Sequence, residues 1–325
     1  MEPISALPTG ATLLEYVNGL ATTGVRVLPG SDGTYWVAYG DRHVRRLPAF
    51  HVGTPSRSEV DRVLRTTGAL IATYLAEPDS SRRANAWLYL CSDQDYSHRR
   101  LPPAMQRNLR RGLRELTVSS LSHSDVLAHG GPAFCDTRQR NGLNDGTLVG
   151  FRRYFGDHID LPGEAYLGAW RTGQLTAFIM ILQVDDWAEL NCYSMSSMLE
   201  YRPNDVLMHL TLSHYLSERR YRVVSYGVSS LQTRSNAAGL HRFKEKVGFN
   251  PTLVHRAFVL HPTLRLFANP VTIAAAHWTV SRALQFRPLD RRLQKVEGML
   301  ASLRGTTRMV GQAEEPRSEV SLSEP

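Results

Sequence analysis

The feature that most constrains the fold is an apolar run at 175–184, LTAFIMILQV, with a turn signal on each side. A turn at Gly173 precedes the run, and Asp185-Asp186 follows it. Because a strand without polar alternation is buried on both faces, this run predicts the central strand of a sheet. The flanking segments AYLGAWR and AELNCYSMSS predict its two antiparallel neighbours.

The residues after this meander predict helices that alternate with strands. The pattern indicates a helix at about 204–219, a strand at 222–226, a helix at 236–247 and a strand at 253–260. Three strands followed by helix, strand, helix and strand are typical of an α+β fold with a mixed sheet.

The N-terminal third predicts a smaller unit of the same kind. Short runs rich in valine and aromatic residues indicate a β-unit at 24–50, and apolar periodicity indicates a helix from Ser58 to Ala76. The run AWLYLC at 86–91 predicts a buried strand. Pro102-Pro103 then opens a further helix, since proline is accommodated in a first helical turn.

Composition excludes several classes of protein. Apolar residues make up 42% and charged residues 21% of the 325 residues, as in an ordinary globular protein. The three cysteines form no CxxC pair, and the histidines show no ligand spacing, so we expect neither a disulfide framework nor a metal. No secretory signal begins the sequence, and no apolar run reaches the ~18 residues of a membrane span. These observations favour a cytoplasmic protein.

The stretch from Tyr193 to Asn250 resembles the acyl-CoA-dependent N-acetyltransferase (GNAT) superfamily. The resemblance rests on the strand ELNCYSMSS, the loop MLEYRPND, the following helix, the strand YRVVSYGV and the ending GLHRFKEKVGFNP. In that family a central strand splays from its neighbour, and the next helix N-terminus binds the pyrophosphate of coenzyme A. The "GF" ending implies that Gly248 terminates the helix in a left-handed conformation and that Phe249 enters the core.

Within the superfamily the chain is most similar to the Fem-type aminoacyltransferase branch. Two such domains are joined there, and the second ends in a phenylalanine-lysine pair, which Phe243-Lys244 matches. The RNLRR helix at 107–111 and the AFCDTRQR stretch at 133–140 also fit. The resemblance implies two GNAT-like domains, a degenerate one at residues 1–100 and a second at 101–262. The composition and periodicity after Pro262 predict a helical extension at 263–304 and a disordered tail at 305–325.

The resemblance also implies a set of site residues. Lys244 and Tyr193 would be catalytic, with Lys244 stabilising charge on the reacting carbonyl. The acyl-CoA cofactor would contact Ser194, Arg202, Asn204, Asp205, Val206, Ser229 and Asn236. Each has a plainer interpretation as a surface, strand, cap or turn residue. Asp205 and Leu207 replace the small residues of the usual phosphate signature, which fits a branch whose donor is an aminoacyl-tRNA.

The cationic residues suggest a second group of contacts. The formal net charge is +8, and only three of the 38 cationic residues are lysines, two of them in the motif that contains Lys244. Arg107, Arg110, Arg111 and Arg114 form one helical stripe, either a solvated face or a clamp for an anionic substrate. Arg107 and Arg111 are therefore candidate substrate-binding residues. Asp136 and Arg138 form either an ion pair or a further substrate contact.

The favoured function is an acyltransferase that moves an acyl or aminoacyl group from acyl-CoA or aminoacyl-tRNA to an amine by direct attack. A non-catalytic GNAT-like binding or scaffold protein is one alternative, and a basic nucleic-acid-binding protein is another. The helical extension carries an apolar 4-3-4-3 seam from Leu289 to Leu303. This seam predicts packing on the catalytic domain or in a homodimer, with peripheral membrane contact as the alternative.

Overall fold

The computed structural model describes residues 7–8, 10–39, 42–80, 82–141, 146–156, 161–230, 237–286 and 291–303. Its strands are β1 (Val27–Pro29), β2 (Tyr35–Tyr39), β3 (His43–Leu47), β4 (Ile71–Ala76), β5 (Ala86–Cys91), β6 (Thr117–Leu121), β7 (Glu164–Arg171), β8 (Gln174–Val184), β9 (Trp187–Ser194), β10 (Val223–Ser230) and β11 (Asn250–Leu260). Its helices are α1 (Leu13–Thr22), α2 (Arg57–Thr67), α3 (Pro103–Glu115), α4 (His123–His129), α5 (Gly131–Arg140), α6 (Leu148–Gly156), α7 (Pro203–Leu212), α8 (Ala237–Lys246), α9 (Pro262–Arg265), α10 (Pro270–Phe286) and α11 (Arg291–Leu303).

The strands form one 11-stranded mixed sheet in the order β1-β2-β3-β4-β11-β5-β10-β9-β8-β7-β6. The predicted meander is confirmed as β7, β8 and β9, and every residue of β8 after Gln174 is buried. The α+β class is also confirmed.

Two parts of the sheet have the same topology. In the N-terminal module (27–76), β1, β2 and β3 form an antiparallel meander, and α2 then leads to β4, which is parallel to β3. In the C-terminal module (164–230), β7, β8 and β9 form the meander, and α7 leads to β10, which is parallel to β9.

The two modules share the centre of the sheet by exchanging strands. β5, which follows the N-terminal module, pairs with β10 of the C-terminal module, and β11, which follows the C-terminal module, pairs with β4. β5 and β11 also pair with each other. Each module is therefore completed by a strand from the other half of the chain.

The prediction of one helix from Ser58 to Ala76 is wrong in its second half. The helix α2 ends at Thr67 because Gly68 adopts a left-handed conformation with φ +71°, and Ile71–Ala76 is a strand. The apolar residues of β4 face two buried surfaces, so their pattern lacks the alternation that marks a half-exposed strand.

The helical extension consists of α9, α10 and α11. Helix α11 packs against α10 and β11, and its Leu300 is buried. Several large apolar side chains on and before α10 are exposed: Leu266, Phe267, Val271, Trp278 and Phe286. Contact of 263–304 with a second subunit or a membrane stays a prediction, and the tail at 305–325 lies outside the described residues. None of the helices in the described ranges combines the length and the apolar character that crossing a membrane requires.

Candidate active site

Each module contains a fork, a place where two parallel strands part. β9 and β10 pair only from Trp187–Val223 to Glu189–Ser225, after which β10 pairs with β5 alone. Gly227, with φ +72°, accompanies a register shift between Ser225 and Val228 at this C-terminal fork.

The N-terminal fork has the same geometry. β3 and β4 pair only from His43–Ile71 to Arg45–Thr73, whereas β11 pairs with the other edge of β4 along its whole length, from Ile71 to Ala76. The last paired residue of the meander strand is Arg45 here and Glu189 in the C-terminal fork, so these two residues occupy equivalent positions with opposite charges.

The two faces of the sheet have different surroundings. We call the face that packs against α3, α7 and α8 the outer face; it includes Leu190 and Cys192 of β9. The opposite, inner face folds back on itself, because Val37 and Leu47 of the N-terminal module pack with Trp187 and other residues of the C-terminal module. The two forks therefore meet on the inner face.

A cavity of about 260 Å³ lies on the inner face where the forks meet. The N-terminal fork and the loop after it contribute Arg45, Arg46, Pro48, Ala49, His51, Thr73, Tyr74 and Leu75, β11 contributes Arg256, and the C-terminal fork contributes Glu189, Asn191, Tyr226, Gly227 and Val228. The cavity thus combines groups from segments that are far apart in the sequence.

Glu189 is the carboxylate of this cavity. The residue is 8% exposed, and its Oε2 finds no hydrogen-bond partner among the described residues. A buried carboxylate oxygen without a partner is costly, so this one indicates a place for a ligand that donates a hydrogen bond or a proton.

The arginines of the cavity differ in their surroundings. Arg46 is 3% exposed, and its guanidinium donates to Thr34, Ser31 and the Gly53 carbonyl oxygen. Burial, and then the positive charge of Arg45, lower the pKa of Arg256. The cationic side chains of Arg45 and Arg256 therefore lie close together in a partly desolvated environment. This arrangement favours binding of an anion.

Lys244 lies on the outer face beside the C-terminal fork. It is 2% exposed, its Nζ donates to Ser229 Oγ at 3.0 Å, and it lies 3.9 Å from the centroid of the Tyr89 ring and 4.5 Å from that of Tyr226. Burial lowers the pKa of Lys244 to about 7. The structure thus brings together two predicted residues, Lys244 and Ser229. Lys244 also contacts Tyr226, a residue of the C-terminal fork that lines the cavity.

The N-terminus of α7, the predicted phosphate site, is partly closed by α3. Arg202 precedes the helix in a left-handed conformation, and Asn204 accepts from the Cys192 thiol at 3.4 Å. Asp205 accepts from Asn108 Nδ2 at 2.7 Å, and burial raises its pKa.

Two further residues, Val206 and Asn236, were predicted to bind the cofactor here. Val206 is fully buried, and its Cγ2 lies 2.4 Å from where a Cβ on Gly112 would be. This close approach of α3 and α7 needs a glycine. Asn236 lies outside the described residues.

Tyr193 and Ser194 lie away from Lys244. The Tyr193 ring stacks on Phe178 at 4.9 Å within an aromatic cluster, on the side of β9 opposite Cys192. Burial raises the pKa of Tyr193. The Ser194 carbonyl oxygen accepts from Thr137 and Arg140 of α5. Both residues anchor the end of β9, and the structure places neither beside the predicted lysine.

The predicted substrate-binding residues lie outside the cavity. Arg107, Arg110, Arg111 and Arg114 are exposed on α3, and Arg111 lies 4.0 Å from Glu200. Asp136 pairs with Arg140 and accepts from Ser196, while the Arg138 guanidinium lies over the Phe134 ring. The arginine stripe on α3 is therefore exposed to solvent, which agrees with its interpretation as a solvated face.

Sequence reasoning missed the cavity residues. Glu189 carried a local signal, because it is the one charged residue within the predicted strand segment AELNCYSMSS. Arg45 and Arg256 carried none, since only the strand exchange brings them to one face. In the described part of the chain, no group of three or more histidine, cysteine, aspartate or glutamate residues could hold a metal ion.

Solved structures share this fold, although no protein-family model and no curated sequence matches the chain. The C-terminal DUF2156 domain of a protein from Agrobacterium fabrum, described as a lysylphosphatidylglycerol synthetase, is 14% identical, with a TM-score of 0.50 over 78% of this chain and 89% of that one. FemX is 10% identical, with a TM-score of 0.50 over 81% of this chain and 96% of that one. The chain therefore has a GNAT-type fold in a Fem-like tandem arrangement.

Proposed function

We propose that the protein is an N-acyltransferase that transfers an acyl or aminoacyl group from acyl-CoA or aminoacyl-tRNA to an amine. The observation that carries the proposal is the C-terminal fork, which has an unpartnered buried carboxylate, Glu189, on its inner side and a buried lysine, Lys244, on its outer side. A gap between two parallel strands lets a donor approach from one face and an acceptor from the other.

The chemistry follows from the two groups. Glu189 takes a proton from the bound ammonium, which frees the nitrogen lone pair for attack on the donor carbonyl carbon. The new C–N bond forms, and the bond from the same carbon to the donor sulfur or oxygen breaks. The second proton that the attacking nitrogen loses as the amide forms passes to the leaving sulfur or oxygen, and Glu189 returns its own proton to solvent after the transfer. Lys244 in its charged form stabilises the negative charge that develops on the carbonyl oxygen.

A covalent enzyme intermediate is not part of this proposal. Cys91, which pairs with Val224 of β10, and Cys192 of β9 lie on the strands beside the C-terminal fork, and burial raises the pKa of their thiols to about 11 and about 12. A thiol that stays protonated is a poor nucleophile. We accordingly propose direct attack, in the cytoplasm, where free cysteines stay reduced.

The experiment is a transfer assay with acetyl-CoA and with aminoacyl-tRNA as separate donors. A mixture of amino acids and dipeptides serves as acceptor, and mass spectrometry detects the acylated product. Calorimetry measures acetyl-CoA binding in parallel. Absence of both transfer and donor binding would reject the proposal.

A non-catalytic binding protein with the same fold is the second candidate. Asp205 favours it, because a buried carboxylate at the start of α7 occupies a position where the resemblance implies a small residue. If acetyl-CoA does not bind but a small molecule co-purifies with the protein, this second function is the correct one.

A further inference from the structure

We propose that the cavity between the two forks binds an acceptor that carries an acidic group in addition to its amine, such as an amino acid or a short peptide with a free carboxylate. This inference rests on the proposed function and names its acceptor class. Its basis is the separation of charge in the cavity, with Glu189 on β9 and the arginines on strands β3 and β11.

The sheet register places Arg45 and Arg256 on one surface. Arg45 pairs with Thr73, and Arg256 pairs with Leu75, two residues further along β4. Residues two apart on a strand point to the same face, so both arginines follow the inner face with Thr73 and Leu75. Arg46 points to the opposite face of β3, where it holds the loop at Ser31.

The arrangement of the arginines is suited to an acid. Each guanidinium offers a planar set of donors that matches the two oxygens of a carboxylate or the oxygens of a phosphate. Their mutual repulsion, which contributes to the lowered pKa of Arg256, would be relieved by an anion bound between them. The charged side chains that face the cavity from the inner face are Glu189, Arg45 and Arg256, with His51 as a further titratable group, so two cationic side chains face one carboxylate.

The size of the cavity restricts the acceptor further. A volume of about 260 Å³ lies just below the range of about 300–1,000 Å³ that is usual for small-molecule sites. It accommodates an amino acid or a dipeptide. An amine beside Glu189 and a carboxylate beside the arginines would orient such a molecule with its nitrogen toward the C-terminal fork.

The first test uses inorganic phosphate as the probe of the arginine pair. Calorimetry compares the full-length wild type with Arg256→Gln and Arg45→Gln, and Arg222→Gln is the matched control, because Arg222 is exposed and pairs with Asp186 outside the cavity. We expect each cavity variant to weaken phosphate binding at least tenfold and the control to change it less than twofold. Circular dichroism verifies that the variants are folded. No phosphate binding to the wild type, or equal binding to all four proteins, would overturn the inference.

The second test separates this inference from the proposed function. Alanyl-alanine, which has a free carboxylate, and its C-terminal amide, which has none, are compared as acceptors. The donor is acetyl-CoA at a saturating concentration. We expect kcat/KM to favour the free acid at least tenfold in the wild type and about equally small values for both dipeptides in Arg256→Gln. Transfer to both dipeptides with equal efficiency in the wild type would overturn the acidic acceptor and leave the transferase intact. Arginine-dependent phosphate binding without any transfer or acetyl-CoA binding would reject the transferase and leave the anion site.

Discussion

The N-terminal and C-terminal modules have the same topology but different residues around their forks. In both, a meander strand pairs in parallel with the strand that follows a helix, and the pairing ends at the third residue. The residue at that point is Arg45 in one module and Glu189 in the other. Because the backbone is equivalent and the charge is opposite, the comparison shows that the fork fixes a position in the sheet and that the side chain determines the charge at that position.

The modules differ also in the segment of chain that comes after the fork. After β10 the chain forms α8, which brings Lys244 over Tyr226, whereas the described residues between β4 and β5 form no helix. We therefore assign the reacting groups to the C-terminal fork and acceptor binding to the N-terminal fork.

The largest effect is expected from the substitution Glu189→Gln. The amide keeps the shape but cannot take a proton, so kcat for transfer should fall about 10²- to 10⁴-fold. The equivalent change in the other module, Arg45→Gln, should act mainly on KM for an acidic acceptor. Steady-state kinetics with acetyl-CoA and alanyl-alanine measure both.

Glu200→Gln is the control for loss of a carboxylate, since Glu200 is exposed near Arg111 and lies outside the cavity. It should retain kcat. If Glu189→Gln kept full kcat as well, the assignment of the reacting groups to the C-terminal fork would be wrong.

The second prediction concerns helix α8, which follows the C-terminal fork. Lys244 has a folded-state pKa of about 7 and an ordinary value of 10.5. Between these values the unfolded chain binds a proton that the folded chain lacks, so the free energy of unfolding should rise with pH. The expected slope is about 1.4 kcal/mol for each pH unit, and Lys244→Met should remove it.

Chemical denaturation at several pH values from 7 to 9 measures this slope as the difference between wild type and variant. Lys246→Met is the matched control from the same helix, and its stability should follow the pH dependence of the wild type. Parallel curves for wild type and Lys244→Met would show that the lysine is not desolvated.

The third prediction compares two glycines that end helices, Gly68 after α2 and Gly248 after α8. The left-handed conformation predicted for Gly248 is confirmed, with φ +110°. Alanine is strained at both positions, but a Cβ at Gly68 would meet open space, whereas one at Gly248 would lie 2.9 Å from Tyr96 Cε2. Tyr96 is held by its hydrogen bond to the Val247 carbonyl oxygen.

Urea denaturation should therefore show a loss of about 1 kcal/mol for Gly68→Ala from backbone strain alone. Gly248→Ala should lose about 1–3 kcal/mol more because of the added overlap. Equal losses would mean that the Tyr96 ring moves aside without cost.

The smallest effect is expected from a substitution at the start of α7. This helix occupies the place in the C-terminal module that α2 occupies in the N-terminal module. Helix α2 begins with a side-chain cap from Ser56, while α7 begins after left-handed Arg202. Because the Asp205 carboxylate is turned toward Asn108, Asp205→Asn should change acetyl-CoA affinity less than threefold. Calorimetry measures it, and tenfold tighter binding would show that the carboxylate instead faces the donor phosphates.

Local patterns were sufficient to predict the meander, helices α7 and α8 and the end of α8. Each depends on the periodicity or the capping residue of one continuous segment, such as the apolar run of β8. The family resemblance selected Lys244 and Ser229 as site residues, whereas their contact emerged only from the structure. The roles of both residues stay predictions.

Long-range pairing could not be predicted in this way. The sequence of β11 reads as an ordinary strand, and its position between β4 and β5 depends on partners in a distant part of the chain. The cavity depends on that pairing, because it brings Arg256 beside Arg45. When a site combines three distant segments, the sequence of each segment alone gives little indication of it. The clearest indication here was the charge of Glu189.

The exchange of β5 and β11 has a consequence for synthesis on the ribosome. β11, which covers the second edge of β4, is made after all the other described strands, and its Arg256 donates its backbone N–H to the side chain of Asn85, 171 residues earlier. Until then the edge of β4 is open to other chains. We therefore expect slow completion of folding, as is usual where pairing joins distant residues, and aggregation of nascent chains arrested before residue 250.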